Sequence, residues 1–144
     1  MEERKQRVIV YVDGFNFYYG LRSKSWRKYY WLDMVKFAEK LLRPHQPTSM
    51  LADVYQKRCD VTMLISADSD LVPPIERIKE FAPAHKVITY FPPNRHSFDL
   101  QKWSNGVKAL TNRQLYEESI LPETVTLPDG FVLTRPDKWK LITE

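Results

Sequence analysis

The chain has 144 residues, 43% of them hydrophobic, enough for one domain with its own core and too few for two. Its 22 Lys and Arg exceed its 18 Asp and Glu, a formal net charge of +4 that tilts it toward a polyanionic partner. The lone cysteine, Cys59, excludes an intramolecular disulfide, and no apolar run is long enough for a signal peptide or a bilayer span, so the expectation is a cytoplasmic protein without membrane attachment.

In chain order, Val8-Ile9-Val10-Tyr11-Val12 is a strand-like run that leads into Asp13-Gly14-Phe15-Asn16. Phe15 to Arg22 predicts a helical turn or two, and Leu32 to Leu42 carries apolar residues at helical spacing until Pro44 stops it. Pro44 to Ser49 reads as a loop, with Thr48 or Ser49 capping a short helix from Met50 to Tyr55. Val61-Thr62-Met63-Leu64-Ile65 repeats the strand signal and runs into Ser66-Ala67-Asp68-Ser69-Asp70. An amphipathic helix follows from Leu71 to Phe81, tolerating Pro73 and Pro74 because first-turn amides have no intrahelical acceptor. Val87 to Phe91 is a third strand closed by Pro92-Pro93, and a helix from Ser97 to Trp103 and a strand from Val107 to Leu110 continue the alternation. Thr124 to Leu127 and Phe131 to Thr134 flank Pro128-Asp129-Gly130 as a β-hairpin. The pattern predicts an α/β domain over residues 1–121, with residues 122–144 as a hairpin and tail packed on it.

Ligands of parallel sheets bind just beyond the carboxyl ends of the strands, and both acidic clusters follow such ends. If the two strands are neighbours, about 4.8 Å apart, Asp13, Asp68 and Asp70 converge where a cation must relieve their repulsion. Each residue also has a plainer reading: Asp70 or Ser69 as the N-cap of the following helix, Asp13-Gly14 as a turn. From Tyr18 to Trp31 the chain interleaves basic and aromatic residues, as grooves for single-stranded nucleic acid do. About half of those aromatics are expected in the core, leaving Arg22, Lys24, Arg27 and Lys28 for phosphates. Arg95, His96 and Lys102 form a second basic patch after the third strand, and a solvated charged face explains them nearly as well. The three histidines show no zinc-like spacing.

Tyr11-Val12-Asp13-Gly14-Phe15-Asn16-Phe17-Tyr18 and Leu64-Ile65-Ser66-Ala67-Asp68-Ser69-Asp70-Leu71-Val72-Pro73-Pro74-Ile75 together resemble the two signature segments of NYN domains of the DUF88/LabA type, in the PIN-like nuclease superfamily. The resemblance continues through Lys86-Val87-Ile88, Phe91-Pro92-Pro93-Asn94-Arg95, Leu121-Pro122 and Leu127-Pro128-Asp129-Gly130. It implies a three-layer PIN-like, Rossmann-like sandwich with a mostly parallel sheet, a Mg²⁺ or Mn²⁺ site, and hydrolysis of RNA phosphodiesters. In that reading Asp13 is the principal ligand, Asp68 faces it, and Asp70 binds metal directly or through water. Asn16 orients a carboxylate, a water or a phosphate, and Ser66 and Ser69 support the ligands. The pattern departs from the family between residues 43 and 50, where relatives add a strand and a further carboxylate, and at Ser104-Asn105, which stands where relatives carry an Ala-Asp pair. Asp53 lies too far along its helix to take the first missing role.

Two functions from different classes remain in view. One is a metal-dependent ribonuclease of full or reduced competence. The other is a non-catalytic NYN-like module that binds RNA or a protein, through a sheet edge left open by the lost strand or by self-association. An aspartyl phosphatase fits less well, because no second Asp stands two residues after Asp13.

Overall fold

A computed structural model of the chain describes residues 6–41 and 50–140. The loop, the cap and the shortening expected between residues 42 and 49 lie outside the described residues. Four strands, β1 (Val8–Val12), β2 (Val61–Ile65), β3 (Lys86–Phe91) and β4 (Gly106–Ala109), form one parallel sheet in the order β1-β2-β3-β4. The register Val12↔Ile65↔Tyr90↔Lys108 brings their carboxyl ends level. Every residue of β2 is buried, as a central parallel strand covered on both faces requires.

Successive side chains of a strand face opposite ways, so the sheet feeds two cores. Val8, Val61, Met63, Ile65 and Tyr90 meet Phe17, Leu21, Tyr29, Phe37 and Tyr116 on one face. That side is covered by α1 (Gly14–Ser23), α2 (Met34–Leu41) and α6 (Arg113–Glu117). Ile9, Leu64, Val87 and Phe91 meet Val54, Ile75, Ile78 and Leu100 on the other, under α3 (Met50–Tyr55), α4 (Val72–Phe81) and α5 (Phe98–Trp103). The result is three layers with the sheet in the middle. Pro73 and Pro74 sit in the first turn of α4 as expected, preceded by a 3₁₀ turn at Ser69–Leu71.

Besides that turn, three elements go beyond the sequence pattern: a 3₁₀ turn at Arg27–Tyr30, α6, and a 3₁₀ turn at Asp137–Trp139. Leu32 does not start a helix but pairs with Ile120 in an isolated antiparallel bridge, so α2 begins only at Met34. The hairpin appears as a separate antiparallel pair, β5 (Thr124–Thr126) and β6 (Val132–Thr134), with Gly130 in the left-handed region at φ +86°. After it, buried Arg135 donates to the carbonyls of Lys28 and Trp139 and to Glu123, which fastens the C-terminal segment to the Arg27–Tyr30 turn.

One close approach sets the position of α1. A Cβ on Gly20 would lie 2.8 Å from both Pro92 Cβ and the Pro93 carbonyl oxygen, so the helix rests directly on the segment that follows β3. Only glycine lets the two backbones meet there. None of the described helices is long and apolar enough to cross a membrane.

Candidate functional site at the carboxyl edge

Asp13 and Ser66 are the first residues beyond β1 and β2, and the main chain holds them together: the Asp13 amide donates to the Ile65 carbonyl at 2.9 Å. Asp13 is the N-cap of α1, with Oδ1 accepting from the Asn16 amide at 3.0 Å and Oδ2 from Asn16 Nδ2 at 2.8 Å. Ser66, fully buried, donates its hydroxyl to Asp13 Oδ2 at 3.0 Å and accepts from the Asp68 amide, also at 3.0 Å. A single hydroxyl therefore couples the first acidic cluster to the second.

Asp68 is the cap of the 3₁₀ turn, its Oδ1 accepting from the Asp70 amide at 3.0 Å. The N-cap expected at Ser69 or Asp70 thus belongs to Asp68, and α4 itself begins without a side-chain cap. Asp70 and Ser69 are exposed. Asp13, Asn16, Ser66 and Asp68 are brought together; Asp70 joins them through its backbone amide. Among the described residues no three His, Cys, Asp or Glu side chains form a group that could hold a metal ion.

Partial burial pushes the Asp13 carboxyl upward. Hydrogen bonds from the Asn16 amide and side chain, the Ser66 hydroxyl and the Phe15 amide outweigh it and hold the group below its ordinary value. The site therefore carries an ionised carboxylate fixed by neutral donors rather than by a cation. The donor set is all hard oxygen, with the second oxygen of Asp68 and the Asp70 carboxylate facing no donor among the described residues. That suits a hydrated divalent cation, which Mg²⁺ satisfies with one or two carboxylates and several waters.

The remaining sequence candidates divide. Arg22 and Arg95 both lie near the Tyr19 ring, 5.9 and 5.8 Å from its centroid, which ties α1 to the segment after β3. Lys24 is exposed at the C-cap of α1, and Lys102 lies over the Trp103 ring on α5. Lys28 is paired with Glu117 at 2.6 Å, the same carboxylate that accepts the Tyr29 phenol. Of the aromatics, Tyr29 is core, Trp26, Tyr30 and Trp31 are half-buried, and Tyr18 and Tyr19 are exposed.

Asn105 lies at the opposite end of the sheet. Its side chain accepts from the Val87 amide at 2.9 Å and its own amide donates to the Val87 carbonyl, at the start of β3. Asp53 is not at the edge either; it is fully buried on α3, accepting from the Tyr11 phenol at 2.8 Å and from Arg58 at 3.2 Å.

Sequence reasoning passed over Phe15 and Phe98, 79% and 83% exposed, in the first turns of α1 and α5. Both helices start from segments that follow the carboxyl ends of strands, α1 on one face of the sheet and α5 on the other. Their position directly after Asp13-Gly14 and Ser97 was the available signal. His96 packs edge-on to Phe98, with ring centroids 4.6 Å apart.

Fold and edge define a three-layer parallel α/β protein with an acidic cluster at the carboxyl ends of its first two strands. No family model and no curated protein matches the chain. It is similar to the crystal structure of a protein of unknown function from Vibrio parahaemolyticus, with 16% identity, a TM-score of 0.49, and coverage of 84% of this chain and 99% of that one. At that level the likeness carries no argument about activity.

Proposed function

We propose that this protein is a metal-dependent ribonuclease that hydrolyses RNA phosphodiester bonds at the carboxyl edge of its sheet. The observation that supports this reading best is the buried Ser66 hydroxyl, which donates to the Asp13 carboxylate and accepts from the Asp68 amide, joining the two acidic segments at one edge. Asp13 and Asp68, with Asp70, would hold Mg²⁺ or Mn²⁺. Such a cation supplies an activated water and relief of charge on the phosphoryl oxygens.

The chain's own residues do the rest. Asn16 locks the Asp13 carboxylate with two hydrogen bonds, so its orientation is set before substrate arrives. Ser66 fixes the distance between the two acidic segments. Phe15 and Phe98 offer faces on which bases of a single strand stack, and Lys24, Arg95 and Lys102 receive its phosphates. RNA as partner and the cytoplasm as workplace belong to the same reading.

Purified protein is expected to cleave single-stranded RNA with Mn²⁺ stimulation, to stop in EDTA, and to lose the activity on Asp68→Asn. Equal cleavage by the variant would identify a contaminating nuclease and overturn the assignment. A second reading, a non-catalytic RNA-binding module, is favoured by one observation: Asp13 Oδ2 already accepts two protein hydrogen bonds. Under it, RNA affinity survives both EDTA and Asp13→Asn, without cleavage.

A further inference from the structure

A cavity of about 460 Å³ opens between α1, the Arg27–Tyr30 turn and the C-terminal 3₁₀ turn at Asp137–Trp139. Its size falls in the range of small-molecule sites. At about 1.5 Å per helical residue, the α1 residues on its wall, Tyr18 and Arg22, lie roughly 7 and 13 Å along the helix from Asp13, and none of the residues that line it belongs to the cluster described above.

Its lining has two chemistries. Tyr18, Tyr30 and Trp139 supply rings: Tyr18 and Tyr30 have centroids 5.0 Å apart at a 45° tilt, and Tyr30 meets Trp139 edge-on at 5.8 Å. Arg22, Arg27 and Lys138 supply three positive charges. None of these three has a carboxylate partner among the described residues, although the neighbouring Lys28 and Lys140 are both paired, with Glu117 and with Asp137 and Glu123. Cations left unpaired around one concavity, while adjacent ones are neutralised, mark a place for an anion. The walls are also built in advance: buried Arg135 donates to the carbonyls of both Lys28 and Trp139, holding the two turns against each other.

We infer that this cavity binds a nucleoside monophosphate group, its phosphate between Arg22, Arg27 and Lys138 and its base against Tyr18, Tyr30 and Trp139. Phosphate alone would use the charges and leave the rings idle, and an uncharged aromatic would do the reverse. A nucleotide uses both. The group comes either from a free mononucleotide or from the phosphorylated end of an RNA strand. The site is independent of catalysis at Asp13 and Asp68 and stands even if those residues cleave nothing.

Tryptophan fluorescence and calorimetric titration would use five probes: AMP, adenosine, inorganic phosphate, and a short RNA with and without a 5′-phosphate. AMP or the 5′-phosphorylated RNA is expected to bind at least tenfold more tightly than adenosine, phosphate or the 5′-hydroxyl strand. AMP binding assigns the site to a free nucleotide, and preference for the phosphorylated strand without AMP binding assigns it to an RNA end. Arg27→Ala and Lys138→Ala, each checked for unchanged circular dichroism, should weaken binding tenfold or more. Trp139→Phe should retain most of the affinity that Trp139→Ala loses. EDTA and Asp13→Asn should leave the titration unchanged, which separates this site from the proposed nuclease centre. Failure of every phosphorylated probe to bind at millimolar concentration, indifference to the phosphate, or full affinity in Arg27→Ala and Lys138→Ala would overturn the inference.

Discussion

Two aspartates near the same strand, Asp53 and Asp13, are treated in opposite ways. Asp53 is fully buried, and its oxygens go to the Tyr11 phenol and the Arg58 guanidinium. Asp13 is half-buried at the end of β1, and its oxygens go to Asn16 and Ser66, both neutral, with Asp68 close by. A carboxylate neutralised by its own cation in the interior is part of the scaffold. One kept ionised by amides and a hydroxyl, next to another acid and open to solvent, retains its charge for a ligand. Tyr11 shows the same division: burial, then its bond to Asp53, pushes the phenol far above its ordinary value, so it stays a neutral donor.

That contrast is open to direct attack, and the largest effect should come from the interior. Asp53→Ala leaves the half-buried Tyr11 hydroxyl without this acceptor and Arg58 without this partner, and should lower unfolding free energy by about 3 kcal/mol in urea denaturation. Gly20→Ala forces a methyl group against Pro92 and Pro93 and should cost about 2 kcal/mol, with α1 displaced and RNA cleavage reduced beyond what the stability loss explains. Tyr11→Phe, which removes the phenol's bond to Asp53, should cost about 1 kcal/mol and leave cleavage intact.

Smaller effects should appear at the edge. The folded-state value of Asp13 lies below its ordinary 3.8, so the group contributes stability that is fully present above that value and is lost as pH falls through the folded one. Acid unfolding of Asp13→Asn should therefore show a shallower loss below pH 3.8 than the parent protein, and an unchanged slope would break the account of how Asp13 is held. Ser66→Ala removes one of the hydrogen bonds that lower the Asp13 carboxyl, so its titration followed by carbon NMR should shift upward, toward the ordinary range.

Much of this organisation was legible in the sequence where burial and chemistry coincide. β1, β2 and β3 were marked by unbroken β-branched and apolar runs, because a parallel strand covered on both faces tolerates little else. The acidic motifs were visible because each directly follows such a run. What stayed hidden depended on long-range packing. Tyr29 and Tyr116, both fully buried, sit on a four-residue turn and a five-residue helix too short to show a period. Lys28 looked like a phosphate contact because Glu117, its partner, is remote in sequence. The exposure of Phe15 and Phe98 is set by where α1 and α5 start, which composition does not reveal. The cavity at Trp139 needed the C-terminal turn to fold back on the Arg27–Tyr30 turn, which no local pattern announces.

The most direct test sets the two aspartates side by side: the Mn²⁺-stimulated rate of single-stranded RNA cleavage, per folded molecule, for Asp68→Asn and Asp53→Asn. Loss in Asp68→Asn with near-parental rate in Asp53→Asn is the expected result. Parental cleavage by Asp68→Asn, or selective loss in Asp53→Asn, would contradict the assignment of function to the carboxyl edge.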